Sequence, residues 1–142
     1  MLSTIVKTLA AASLVAAAGC SDGYDGLVPV AGTVTFDGGP PPAGGFLSFI
    51  PTERVPGQPS RPARAVFQTD GVYEATSFQE GDGLFPGRYT VQVTCNKEQP
   101  DYSKKDPFRE ASYVADGYEG QNLVVEEGSD ELSLNLDVPL KK

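Results

Sequence analysis

Three carboxylates, Asp70, Glu80 and Asp82, fall close together in the chain, two of them in the run EGDG. Carboxylate oxygens are ligands that Ca²⁺ prefers, and two acids at a suitable separation can hydrolyse glycosides. EGDG lacks the full ligand series of an EF-hand loop, so a solvated acidic loop is the competing account. The chain contains no histidine. That removes Ser-His-Asp and Cys-His catalysis and histidine-based zinc sites. No Gly-rich loop follows a strand and opens a helix, as a phosphate site would require. Cys95 is a lone thiol in RYTVQVTC, where alternation places it with Tyr89, Val91 and Val93 on one face. It reads as a small core hydrophobe rather than a nucleophile. Four aromatics, Tyr102, Phe108, Tyr113 and Tyr118, lie where periodicity is lost. Such rings either stack on sugars and anchor partners or cover the open end of a core. The expectation is a non-catalytic protein with no obligatory cofactor; calcium through Asp70, Glu80 and Asp82 is the alternative.

The elements that must position these residues are strands. Val30, Gly32, Val34 and Phe36 share one face, and Asp37-Gly38-Gly39 with a proline run closes the strand. FLSFIP is a second strand, with Leu47 and Phe49 inward. Residues 51–62 carry four prolines and read as an irregular loop. Strands over 63–69 and 72–76 flank Asp70-Gly71, a two-residue hairpin signal. The strand at 88–95 follows a Pro86-Gly87 turn, and NLVVEE and ELSLNLDV supply the last two. Leu132, Leu134, Leu136 and Val138 alternate on one face of that final strand. Seven short strands with almost no helix signal predict an all-β, antiparallel, Ig-like or prealbumin-like sandwich. Residues 96–121 are long for a structureless connection. They are expected to hold a short helix or edge strand, or to be the functional loop.

The first residues give an address. Thr8 to Gly19 is apolar or small and is preceded only by the charge of Lys7. A spanning helix needs roughly 20 apolar residues, so this run reads as the core of a secretory signal. Ordinary signal cleavage would suit its small residues. Ala17-Ala18-Gly19-Cys20 resembles the lipobox of bacterial lipoproteins, with Ala17 where that pattern usually has Leu. The resemblance implies cleavage before Cys20 and acyl chains on its thiol. Residues 1–19 would be the leader, 20–27 the lipidated cysteine with a short tether, and 28–140 the domain. The mature chain would hold 123 residues, and loss of Lys7 would take the net charge from −8 to −9. Strong acidity disfavours nucleic acid as a partner. With Cys20 lipidated, Cys95 would have no disulfide partner.

The order of motifs points to a family. Val30-Ala31-Gly32-Thr33-Val34 leads to Asp37-Gly38, then Phe49-Ile50-Pro51, then Thr69-Asp70-Gly71-Val72-Tyr73, then Pro86-Gly87-Arg88-Tyr89-Thr90-Val91-Gln92-Val93. This series resembles the carboxypeptidase regulatory-like, transthyretin-like β-sandwich domains, and more narrowly the short bacterial lipoproteins built from one of them. It covers about residues 28–138. The hairpin lacks the residue the family usually places between Asp and Gly. The absence of histidine separates the chain from the transthyretin-like hydrolases of urate degradation. The resemblance implies a fold, and fold alone does not give function. The expected protein is an exported lipoprotein, anchored in the outer membrane or at the periplasmic face, that contacts an envelope protein or polysaccharide. The alternative is a carbohydrate- or calcium-binding domain using 96–121 or EGDG.

Overall fold

The computed structural model describes residues 24–142. The expected leader and Cys20 lie outside the described residues. Eight strands and one short helix follow in order: β1 (Val30–Phe36), β2 (Gly45–Pro51), β3 (Ala63–Phe67), β4 (Val72–Glu74), β5 (Gly87–Thr94), α1 (Pro107–Ala111), β6 (Gln121–Val125), β7 (Leu132–Ser133) and β8 (Leu136–Val138). One sheet has the order β4-β1-β7, with β8 also on β1, and the other β3-β2-β5-β6. The chain is an all-β sandwich, as its alternation predicts. Each strand turns its apolar residues to one interior: Val30, Val34, Phe36, Tyr73, Leu136 and Val138 from the first sheet, and Leu47, Phe49, Phe67, Tyr89, Val91 and Leu123 from the second. Cys95 continues the inward face of β5 and is fully buried.

The strand count is eight rather than seven because ELSLNLDV is interrupted. β7 and β8 keep one register against β1, Val30 opposite Leu132 and Val34 opposite Leu136. Between them Leu134 N–H still donates to the Ala31 carbonyl at 2.9 Å, but side chains take over the next step of the ladder. The Tyr73 hydroxyl donates to the Leu134 carbonyl at 2.5 Å, and Thr33 N–H donates instead to Asn135 Oδ1 at 3.1 Å. Gly32 permits this arrangement, because a Cβ there would overlap the Leu134 carbonyl. Its φ is not positive, so the requirement is one of space rather than backbone conformation.

The pairing is antiparallel, as expected, except at these same two strands, which run parallel to β1. The topology forces this. β6 ends beside the start of β5, where Gly87 faces Val125. Leu84, just before β5, bridges Val28, just before β1. The chain therefore re-enters the first sheet at the end where β1 also begins.

A second correction concerns Asp70-Gly71, which does not close a simple hairpin. The turn, with Gly71 N–H on the Gln68 carbonyl at 2.9 Å, passes the chain from one sheet to the other. β3 does not pair with β4; the two arms are joined by one bridge, between Arg64 and Thr76, the latter beyond the end of β4. The tight two-residue turn is at Asp37-Gly38. Phe36 and Gly39 exchange both backbone hydrogen bonds at 2.9 Å, and both central residues have positive φ, 48° and 78°. Asp-Gly meets that requirement because glycine and, less easily, aspartate tolerate left-handed backbone.

The sandwich therefore has two distinct ends. Residues 24–29, the proline-rich loop 51–62 and the loop 77–86 gather where β1 and β5 begin. Residues 96–121 leave the opposite end, where β5 finishes and β2 begins.

Candidate functional site

Residues 96–121 connect β5 to β6 within one sheet and are held by hydrogen bonds to the ends of both sheets. Tyr113 N–H donates to the Cys95 carbonyl at 2.8 Å, and Lys97 N–H to the Ala111 carbonyl at 2.8 Å. On the other side, Ala115 N–H donates to Pro139 at 2.9 Å and Lys141 N–H to Tyr113 at 2.7 Å. α1 forms where Asp106 can cap it: its carboxylate accepts from Arg109 N–H at 3.2 Å, and Pro107 sits in the first turn, where its missing N–H costs nothing. Beyond the helix, Asp116 takes two contacts from the Arg109 guanidinium, both 2.9 Å, and one from Lys141 Nζ at 3.1 Å. Lys141 Nζ also donates to the Arg109 carbonyl at 2.7 Å. The Arg109 side chain, then Lys141, holds the Asp116 carboxyl at a pKa of about 2. The knot is largely open to solvent, so it fixes position more than it stabilises.

The four candidate aromatics separate into two pairs. Tyr113 and Tyr118 pack against the core, half-buried, and close the end of the sandwich. Burial, with Asp137 near by, raises the Tyr118 hydroxyl pKa. Tyr102 and Phe108 are 77 % and 61 % exposed. Their rings meet edge to face, with centroids 5.9 Å apart at 84°. Phe108 also lines a shallow groove of about 620 Å³ with Val93, Asn96, Arg109, Ser112 and Asp116. Asp101 braces the Tyr102 turn by accepting from Ser103 N–H at 3.0 Å and Ser103 Oγ at 2.7 Å. A Lys104–Glu110 ion pair at 3.3 Å ties that turn to α1.

The carboxylates do not assemble. Asp82 accepts from the backbone N–H groups of Ser77, Phe78 and Gln79 at 2.7, 3.0 and 2.9 Å, which folds the 77–83 loop around it. Its role is to organise EGDG. Asp70 accepts from Val72 N–H at 3.1 Å. Asp70 and Glu80 share the cleft between β3 and β4 with Arg64, Val66, Val72 and Glu74. Among the described residues no group of three or more His, Cys, Asp or Glu could hold a metal ion. Cys95 Sγ contacts the Ala43 carbonyl at 3.4 Å, and burial pushes its thiol pKa up. Neither feature suits a nucleophile, which must be a thiolate.

One aromatic group went unmarked in the sequence. Tyr24 stacks on Phe78 at 3.8 Å, Phe85 meets both rings edge-on, and the Arg61 guanidinium lies 4.8 Å from the Phe78 centroid. The available signal was that Phe78 and Phe85 flank EGDG and that the tether contains a tyrosine. Among the described residues no helix is long and apolar enough to cross a membrane. Comparison with known proteins yields no match, whether with family models, with curated proteins or with solved structures.

Proposed function

We propose that the protein is an exported, lipid-anchored cell-envelope module without catalytic activity, which engages its partner through the end of the sandwich remote from the tether. The observation that carries this reading is the Tyr102–Phe108 pair. Two large side chains are exposed together on a segment fixed to both sheets. Exposed aromatics on a rigid scaffold are the usual anchors of recognition. The partner is an envelope protein or a polysaccharide, since an acidic chain without a basic patch suits neither nucleic acid nor a bare anionic surface. Ala17–Cys20 supplies the address, and two or more acyl chains on Cys20 suffice for stable attachment. On its order of motifs we group the domain with the carboxypeptidase regulatory-like sandwiches.

Single alanine substitutions at the four aromatics test the reading, with in-cell cross-linking and melting temperature measured together. Tyr102→Ala and Phe108→Ala should abolish partner capture while the melting temperature stays within about 2 °C, because exposed substitutions cost little. Tyr113→Ala and Tyr118→Ala should lower the melting temperature. Capture unaffected by Tyr102→Ala and Phe108→Ala would remove this surface from the account.

A further inference from the structure

The tether is pinned to the domain at Tyr24. Tyr24, the first residue described, lies flat on Phe78, with Phe85 edge-on to both rings. Arg61, whose guanidinium contacts Phe78, is fixed by a 2.9 Å hydrogen bond to the Ser77 carbonyl. Phe78 is itself held by its N–H on Asp82 at 3.0 Å. The stack thus rests on an organised loop, and it fixes where the chain leaves the domain. Four residue steps separate Tyr24 from Cys20, so the lipidated sulfur can stand no more than about 14 Å along the chain from the clamp. Without the clamp the next fixed point is Val28, whose N–H donates to the Leu84 carbonyl at 2.8 Å. The reach would then double to about 28 Å.

We propose that Tyr24 is a clamp that holds this end of the sandwich against the lipid surface, making Tyr24, Phe78, Arg61 and the adjoining 51–62 loop a membrane-contact face. The proposal rests on the lipidation of Cys20 put forward above. The length of the tether selects lipid as the occupant. Charge does not, because Glu126 and Glu127 follow β6 at the same end. Tyrosine is suited to the position, since its ring and hydroxyl match the boundary between acyl chains and water. The clamp also accounts for the placement of the Tyr102–Phe108 pair, which projects from the far end, about 23 Å away along the seven residues of β1.

The test uses the full lipidated chain in vesicles of phosphatidylethanolamine and phosphatidylglycerol that carry a headgroup spin label. A dye is attached at Ser60→Cys or, separately, at Ser103→Cys; buried Cys95 does not compete for label. Intact mass is read first. Absence of acyl chains on Cys20 overturns the anchored reading and this proposal together. With acyl chains present, the dye at position 60 should be quenched at least about twofold more than the dye at 103, given the length of the sandwich. Tyr24→Ala should remove most of that difference, and Tyr24→Phe should keep it. Equal quenching at both positions, or a difference that survives Tyr24→Ala, overturns the clamp while leaving the lipid anchor intact.

Discussion

Gly32→Ala tests the most specific packing argument. The Cβ would overlap the Leu134 carbonyl, which must then leave the Tyr73 hydroxyl, while Asn135 is carried off Thr33 N–H and Thr33 Oγ1. A typical intramolecular hydrogen bond contributes about 1 kcal/mol, and a buried polar group left unsatisfied costs about 1–3 kcal/mol. Tyr73 is buried, and burial raises its hydroxyl pKa, so that group has no water to fall back on. The unfolded-state gain on replacing Gly by Ala offsets less than about 1 kcal/mol. The expected net cost is about 3 kcal/mol. Tyr73→Phe removes the hydroxyl itself and should cost about 1.5 kcal/mol. Because both changes act on one carbonyl, the double variant should be less destabilised than the sum, by about 1 kcal/mol. Urea unfolding followed by tyrosine fluorescence measures all three, provided the m-value is constant across the set. Costs that add to within about 0.4 kcal/mol would show that Gly32 and Tyr73 do not meet at Leu134.

Two further predictions follow from buried and paired groups. Cys95 should react with a thiol reagent only on unfolding, since it is fully buried and its pKa is raised; fast labelling of the native protein would contradict this. Asp116 has a folded pKa of about 2, held down by Arg109 and then Lys141, against about 3.9 unfolded. Its contribution is therefore present above about pH 4 and is lost as the pH falls towards 2. The melting-temperature gap between the protein and Asp116→Asn should close across that window, and a gap that is constant with pH would refute the pairing.

The sandwich was legible because alternation is a local signal: each inward face in β1, β2, β3 and β5 can be read off four or five residues. The split of the last strand was not, because it depends on Tyr73 and Gly32, about sixty and one hundred residues away in sequence from Leu134. Parallel pairing was hidden for a similar reason, being set by where β6 ends. Asp70-Gly71 and Asp37-Gly38 carry the same dipeptide, and only the surrounding sheet decides which becomes the tight turn. At the candidate site, the four aromatics were visible as a group, but exposure separates Tyr102 and Phe108 from Tyr113 and Tyr118, and exposure is a tertiary property. The Arg109–Asp116–Lys141 knot is completed by Lys141, 32 residues beyond Arg109, a separation that spacing does not reveal. The carboxylates of EGDG looked alike, yet only Asp82 has three backbone donors converging on it.

Photo-cross-linking in cells tests whether the end carrying Tyr102 and Phe108 meets the partner. A photoreactive amino acid is placed at position 108 of the full chain, and in a parallel strain at exposed Val66 in the β3–β4 cleft. A discrete adduct is expected from position 108, reproduced from position 102 and absent from position 66. No adduct from 108 and 102, or the same adducts from 66, would contradict it.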